Sequence, residues 1–203
     1  MPTITAIEEK RGIMEISADG CVFIRIRKNH YERYPLEIGE EIDTEDYLNR
    51  IASVQFPDAY EAALTSLDFS ARTAREISNA LRRKGFVAPV IEAVIEKLTD
   101  NHLIDDRLYA QRVAECQSKK PVGVYAVKRK LRAKGISEED AEAAMEAFDE
   151  DQQREAAFET ARRLYRKYES LPRREARGKL SQALARRGFS WEVIESAIES
   201  IIE

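Results

Sequence analysis

The chain of 203 residues has little of several residue types that mark particular protein classes. Its two cysteines, Cys21 and Cys116, lie far apart and match no metal-binding spacing, so we expect two free thiols in a reducing cytoplasm. No apolar run reaches the roughly 18 residues that a transmembrane helix needs, and the N-terminal segment lacks the apolar stretch of a secretory signal. With 8 glycines, 6 prolines and 34% charged residues, the composition favours solvated helices over a β-sandwich.

The sequence also lacks the motifs of common catalytic sites. It contains no Walker loop, no G-x-G-x-x-G, no H-E-x-x-H and no nucleophile elbow. The two histidines, His30 and His102, are far apart, and Asp105-Asp106 directly precede an apolar helical stripe, where capping explains them better than metal binding. We therefore expect no enzyme, no catalytic residue, no metal, no cofactor, no small-molecule substrate and no membrane partner.

The first 54 residues carry a β-strand pattern followed by a helix start. Asp19-Gly20 separates two β-prone runs, which predicts a hairpin because a type I′ turn requires positive φ at both central positions. Residues 4–7 predict a further short strand. Thr44 precedes two acidic residues, so we expect its hydroxyl to cap a short helix.

From about residue 55 the pattern is helical, and one motif occurs three times. Gly85, Gly135 and Gly188 are separated by 50 and 53 residues. Basic residues precede each glycine and an apolar residue follows it, which predicts a helix that ends in a left-handed glycine cap. An apolar stripe of helical spacing lies on either side of each motif. Pro89, Ser137 and Ser190 are placed to begin the helices that follow.

These patterns predict a mainly α fold of three tandem three-helix repeats in an elongated array, preceded by a small N-terminal β-hairpin and helix unit. The predicted domains are residues 1–54 for the hairpin unit and residues 55–103, 104–151 and 152–203 for the three repeats. A three-helix unit of about 50 residues is only marginally stable alone, so we expect the repeats to pack in series.

The charges alternate from helix to helix along the repeats. Residues 119–134 hold seven basic residues and no acidic one, whereas residues 135–159 hold ten acidic residues and one arginine. The middle helix of each repeat is therefore basic and the third helix acidic. Adjacent helices that neutralise each other through exposed pairs, worth about 0–1 kcal/mol each, are one interpretation. The threefold recurrence favours basic ridges that contact an extended anionic partner.

We predict ten basic residues, here called the ridge residues, as partner contacts. They are Arg82, Arg83, Lys84, Lys128, Arg129, Lys130, Arg132, Lys134, Arg186 and Arg187. The net charge of −4 does not oppose this, because residues 1–54 hold 7 basic and 11 acidic residues while residues 55–203 hold 26 of each. Tyr125, Tyr165 and Tyr168 lie beside alanines and leucines at helical spacing, so we expect core packing rather than stacking on bases.

The order of these motifs resembles the RecX family, bacterial regulators of the RecA recombinase. The similarity covers most of residues 59–203 and lies in four segments, 72–77 (RTAREI), 103–110 (LIDDRLYA), 134–136 (KGI) and 186–190 (RRGFS). The N-terminal segment is similar to an extension of longer members. The chain departs from the pattern at His102, where glycine is expected, so we expect Asn101 or His102 to take a left-handed turn.

The resemblance implies a non-enzymatic cytoplasmic modulator that binds the RecA filament on DNA and restrains its ATPase, strand-exchange and coprotease activities. The predicted basic ridges fit that role, since many weak contacts along a filament add through effective concentration. The ridge residues come from charge recurrence, and the resemblance does not assign them. Two alternatives remain open: a protein that binds single- or double-stranded DNA directly through helix-turn-helix units, and a helical adaptor for another protein.

Overall fold

The computed structural model describes residues 1–202, which divide into two compact units. The first unit, Met1–Asp105, contains three strands and four helices, and the second unit, which begins at Asp106, contains six α-helices and a short 3-10 helix. The predicted mainly helical fold with a small N-terminal β unit is confirmed. Within residues 1–202, no helix has the length and apolarity to cross a membrane, and no cluster of His, Cys, Asp or Glu is arranged to hold a metal ion.

The elements follow one another in the order that the repeats predict. The first unit contains β1 (Ile4–Lys10), β2 (Ile13–Ala18), β3 (Cys21–Arg27), α1 (Lys28–Tyr31), α2 (Thr44–Phe69), α3 (Ala74–Arg83) and α4 (Ala88–Asp100). The second unit contains α5 (Asp106–Ser118), α6 (Val124–Ala133), α7 (Glu138–Ala143), the 3-10 helix (Ala144–Ala147), α8 (Glu150–Tyr165), α9 (Arg173–Arg186) and α10 (Trp191–Ile202).

The three strands form an antiparallel sheet in the order β1-β2-β3. The predicted turn between β2 and β3 is confirmed, with φ of 49° at Asp19 and 79° at Gly20. A second turn of the same kind, at Arg11 and Gly12 with φ of 54° and 77°, joins β1 to β2. The predicted hairpin is thus present as β2 and β3, and β1, which contains the strand predicted at residues 4–7, extends it to a three-stranded sheet. The Asp-Gly criterion does not detect the second turn, since arginine seldom adopts positive φ.

One continuous helix, α2, replaces the two helices predicted on either side of residue 55. Its buried residues recur every four positions, so a single buried stripe continues along the helix. They are Tyr47, Ile51, Gln55, Ala59 and Ala63. A boundary between residues 54 and 55 would fall inside this helix, which links the sheet region to the first repeat.

The start of α2 lies close to its predicted position, but a different residue caps it. Asp43 accepts hydrogen bonds from the backbone N–H groups of Glu45 at 3.0 Å and Asp46 at 3.1 Å. The predicted cap, Thr44, is the first residue of the helix. A carboxylate at the cap position satisfies two otherwise unpaired donors and interacts favourably with the helix dipole.

The middle helices α3, α6 and α9 end at the three predicted glycines. The φ angles of Gly85, Gly135 and Gly188 are 82°, 88° and 84°, and the predicted left-handed caps are confirmed. The residue after each glycine is buried and its N–H donates to a carbonyl five residues earlier, as in a Schellman motif. These bonds run from Phe86 to Leu81, Ile136 to Leu131 and Phe189 to Leu184, at 3.3, 3.1 and 3.4 Å.

The third helices begin at their predicted caps but differ in length. Ser137 Oγ accepts from Asp140 N at 3.0 Å, and Ser190 Oγ accepts from Val193 N at 3.3 Å. Pro89 lies in the first turn of α4. Helices α4 and α10 have 13 and 12 residues, whereas α7 has 6 residues and continues as a short 3-10 helix. The second repeat therefore has the shortest third α-helix.

The tyrosine and turn predictions have mixed outcomes. Tyr165 and Tyr168 pack against the core of the third repeat, as predicted. Tyr125 is 55% exposed, so the prediction of core packing is wrong for this residue. Its position in the first turn of α6 places it outside the buried stripe. The left-handed turn before α5 is at His102, with φ of 56°.

Candidate partner-binding surface

The ridge residues fall into three groups at the C-terminal ends of the middle helices. The group at the end of α3, residues 82–84, belongs to the first unit. The groups on α6 and at the end of α9 belong to the second unit. Most of the side chains are exposed, while Lys128, Lys134 and Arg187 are half-buried. Each group has its own contacts and is described separately.

The α3 group is attached to the sheet through its backbone. The Arg27 side chain of β3 donates from Nε to the carbonyl of Lys84 at 3.0 Å, and its guanidinium carbon lies 5.2 Å from the centre of the Phe86 ring. Arg82 donates to the Asn79 side chain at 3.1 Å. The side chains of Arg83 and Lys84 are exposed. Sequence reasoning missed Arg27, because its contact with the helix end is distant in the chain.

Two ridge residues on α6 are paired with acidic residues of α7. Lys128 forms a salt bridge with Glu142, and only 15% of its side chain is exposed. Arg132 forms a salt bridge with Glu138. The hydrogen bond between them raises the pKa of the Arg132 guanidinium and lowers the pKa of the Glu138 carboxyl. For these two residues the structure supports the neutralisation interpretation, and their charges are largely compensated within the repeat.

Other ridge residues on α6 retain an uncompensated charge. Arg129 and Lys130 are exposed and form no salt bridge with any described residue of the chain. The exposed ring of Tyr125 lies one turn before Arg129, and the Nζ of Lys128 lies 5.8 Å from the centre of that ring. This face of α6 therefore presents an aromatic ring and two free positive charges to solvent.

The α9 group lies at a joint between the second and third repeats. The carbonyls of Arg187 and Gly188 accept hydrogen bonds from the N–H groups of Gly123 and Tyr125, both at 3.0 Å. Gly123 is the N-cap of α6 and has no capping side chain. The end of α9 therefore supplies the acceptors that the first turn of α6 lacks. Arg186 remains exposed beside this joint.

Close backbone contact at the joint requires glycine on both sides. A Cβ on Gly123 would lie 2.1 Å from the carbonyl carbon and oxygen of Gly188. A Cβ on Gly188 would lie 2.2 Å from the backbone nitrogen of Ala126. Both distances are far shorter than any real Cβ contact, so a side chain at either position would separate the two helices.

A cavity of about 480 Å³ opens in the second unit beside the shortened third helix of the second repeat. Its charged lining residues include Lys128, Glu142, Arg154 and Glu192. The apolar side chains of Met145 and Phe148 also face it. Lys128 therefore lines this cavity as well as pairing with Glu142, and little of its side chain is exposed for a ridge contact.

An arginine cluster on α8 lies outside the predicted ridges. Arg162, Arg163 and Arg166 line a cleft of about 350 Å³ together with Pro121 and Thr160. Sequence reasoning assigned the basic residues to middle helices, whereas α8 is the first helix of its repeat. Three arginines within five residues at the C-terminal end of α8 are the signal that identifies this cluster.

Models of protein-family domains match the chain in three consecutive segments. Residues 59–98 match the first three-helix domain of RecX, residues 105–145 the second and residues 150–198 the third. The matched segments contain the three glycine-capped helices described above. The order of the matches is the order of the domains.

Curated proteins and solved structures agree with these matches. The chain is 30% identical over 201 residues to regulatory protein RecX of Streptococcus sanguinis, covering 98% of this chain and 76% of the relative. It is 29% identical over 205 residues to regulatory protein RecX of Bacillus subtilis, covering 99% of this chain and 78% of the relative.

Two crystal structures share the fold. A structure of regulatory protein RecX has a TM-score of 0.68 and 27% identity, covering 98% of this chain and all of that one. A structure of RecX from Lactobacillus salivarius has a TM-score of 0.67 and 29% identity, covering 73% of this chain and 97% of that one. The three RecX three-helix domains match in order, and the similarity to RecX proteins covers nearly the whole chain. The chain therefore belongs to the RecX family of regulatory proteins.

Proposed function

We propose that this protein is a non-enzymatic modulator of the RecA recombinase that acts in the cytoplasm. It binds the RecA–DNA filament and lowers the ATPase, strand-exchange and coprotease activities of RecA. The observation that carries the proposal is the match of all three RecX three-helix domains, in order, to residues 59–198. The relatives are named regulatory proteins, and RecA as the target follows from the family resemblance.

The exposed ridge residues are the proposed contacts with the filament. Those with free charges are Arg83, Lys84, Arg129, Lys130 and Arg186. Each exposed charge contributes little alone, but groups at the ends of separate middle helices act together when they bind one extended partner. We propose one contact group for each repeat, with repeats at about residues 55–103, 104–151 and 152–203, and residues 1–54 as the part that supports the first group.

The decisive experiment titrates the full chain into a RecA ATPase assay on single-stranded DNA. We expect the rate of ATP hydrolysis to fall as the protein approaches the concentration of RecA. An unchanged rate at a several-fold molar excess would contradict the proposal. The same titration without RecA measures any ATP hydrolysis by the chain itself, which we expect to be absent.

The structure indicates which charge reversals test the ridge. Lys128 pairs with Glu142, so a Lys128→Glu substitution would place two negative charges together. A loss of inhibition in that variant could then come from lower stability as well as from weaker binding. The double variant Arg129→Glu and Lys130→Glu changes only exposed residues without salt bridges. We expect it to inhibit the RecA ATPase at least about tenfold less strongly, while its far-UV circular dichroism stays unchanged.

A matched control makes the same change of charge elsewhere in the second unit. Arg107 and Arg112 are exposed on α5, which carries no ridge residue, so Arg107→Glu with Arg112→Glu is the control. We expect this variant to retain inhibition. Equal loss in both variants would show that net charge, and not the ridge, governs inhibition.

Direct DNA binding makes a different prediction for salt dependence. Contacts with several phosphates should weaken about 10³-fold or more between 50 and 200 mM salt. Tight binding to naked duplex DNA that weakens in this way, together with no effect on RecA, would favour the alternative of a DNA-binding protein and contradict RecA modulation.

A further inference from the structure

The cleft on α8 combines exposed arginines with a buried hydroxyl group in the second unit. It has a volume of about 350 Å³ and is lined by Pro121, Glu159, Thr160, Arg162, Arg163 and Arg166. None of these is a ridge residue. Pro121 follows two exposed lysines, Lys119 and Lys120, in the connection from α5 to α6. Basic residues from two parts of the chain therefore lie at and beside one cleft.

One arginine of the cleft is compensated and two are not. Arg162 donates from Nη2 to the Glu159 carboxylate at 2.8 Å, and its guanidinium carbon lies 5.9 Å from the centre of the Phe158 ring. Arg163 and Arg166 are exposed and form no salt bridge with residues 1–202. The single carboxylate in the cleft thus offsets one guanidinium, and the cleft has a net positive charge.

Thr160 gives the cleft a second, independent feature of an anion site. Its side chain is only 1% exposed, and its Oγ1 has no hydrogen-bond partner among the residues that the structure describes. Arg163 lies three residues after Thr160 on α8, so the two are neighbours on the helix surface, and Arg166 is the C-cap residue of α8. A buried hydroxyl without a partner is unfavourable, and an acceptor bound in the cleft would satisfy it.

We infer that this cleft binds phosphate groups of a nucleic-acid backbone. Guanidinium groups bind phosphate oxygens with paired hydrogen bonds, and a threonine hydroxyl donates to a further oxygen. Lys119 and Lys120 are exposed and directly precede Pro121, which lines the cleft, and this additional positive charge favours a polymer over a free ion. The site does not depend on how the chain contacts RecA, because neither the argument nor the experiment involves RecA.

The test measures binding of the full chain to a fluorescent single-stranded oligo(dT) by anisotropy, over a range of salt concentrations. We expect the double variant Arg163→Gln and Arg166→Gln to weaken binding about tenfold. The slope of log K against log salt should fall by about 1.4, since each lost phosphate contact on a single strand accounts for about 0.7. Arg107→Gln with Arg112→Gln on α5 is the matched control, and we expect its binding to equal that of the unmodified chain.

Thr160→Val separates a binding role from a structural one. Valine has nearly the same shape without the hydroxyl, so we expect weaker oligo(dT) binding but an unfolding midpoint that is unchanged or higher. Arginines that served only to offset the C-terminal dipole of α8 would lower stability when replaced and leave binding unaffected. That result would overturn the inference.

Competition with other anions identifies the ligand. Inorganic phosphate should compete only weakly, and polyglutamate should not compete at matched ionic strength. If inorganic phosphate competes strongly, or if polyglutamate binds with the same dependence on Arg163 and Arg166, the assignment to a nucleic-acid backbone is wrong. Unchanged oligo(dT) binding in the arginine variant and in Thr160→Val would also overturn it.

Discussion

Gly188→Ala should destabilise the second unit far more than an ordinary glycine replacement. The left-handed conformation at φ of 84° costs a residue with a Cβ roughly 1–2 kcal/mol. The new Cβ would lie 2.2 Å from the backbone nitrogen of Ala126, so α6 and α9 must separate. Separation breaks the hydrogen bonds from the N–H groups of Gly123 and Tyr125, and each lost bond costs about 1–3 kcal/mol where a buried group is left unsatisfied. The sum is about 3–8 kcal/mol, which is comparable to the whole stability of a small domain.

Two other glycines provide controls with different surroundings. Gly85 has nearly the same φ, 82°, but a Cβ there would first meet the flexible Ile13 side chain at 3.0 Å, so Gly85→Ala should cost only about 1–2 kcal/mol. Gly178 lies within α9, and a Cβ added there would meet nothing within 4 Å, so Gly178→Ala should stabilise the second unit by about 0.5–1 kcal/mol.

Urea denaturation and amide hydrogen exchange measure these effects. The single tryptophan, Trp191, lies in the second unit, so its fluorescence follows that unit, while far-UV circular dichroism follows the whole chain. We expect the Tyr125 amide to lose protection in Gly188→Ala and to keep it in Gly85→Ala. If Gly188→Ala is no less stable than Gly85→Ala, and the Tyr125 amide stays protected, the joint between the repeats does not have the energetic role assigned to it.

Two further predictions concern a buried amide and an exposed ion pair. The fully buried side chain of Gln55 donates to the Gly85 carbonyl at 3.2 Å and accepts from Val87 N at 2.8 Å. Gln55→Leu should leave both backbone groups unpaired. We expect urea denaturation to show an unfolding free energy that is lower by about 2–4 kcal/mol. A loss below about 0.5 kcal/mol would show that the bridge contributes little. The hydrogen bond from Arg132 lowers the pKa of the Glu138 carboxyl below its ordinary value of 4.5. The pair therefore contributes its full stabilisation above pH 4.5. This contribution is lost as the pH falls through the lowered pKa. The plot of stability against pH should therefore be flatter below about pH 4.5 in Glu138→Gln, and an unchanged acid limb would contradict this.

The features that sequence predicted correctly are those set by local chemistry. The cap glycines are recognisable because each combines a basic last turn, a glycine and an apolar residue within a few positions. The helix starts at Ser137 and Ser190 follow from the hydroxyl and the acidic residues beside it. Repetition of these signals at 50 and 53 residues was sufficient to predict three repeats.

The features that sequence missed depend on distant contacts or weak local signals. The turn at Arg11-Gly12 lacks the asparagine or aspartate that usually identifies such turns. Lys128 meets Glu142 across two helices, so its charge is compensated by a residue that no local pattern identifies. Threefold recurrence of charge at the helix ends is visible in the sequence, but which of those charges remain free depends on how adjacent helices pack.

Because the end of α9 caps the start of α6, the second and third repeats cannot be exchanged independently during evolution. The second repeat does not contain the acceptors that complete the start of its own middle helix, since they belong to residues 187 and 188 of the next repeat. A gene segment that encoded only the second repeat would lack the carbonyl acceptors for the first turn of α6. A segment that encoded only the third repeat would keep those carbonyls without the N–H groups that they bind. Recombination that exchanges, deletes or inserts repeats is therefore least damaging where it moves residues 106–202 as one block.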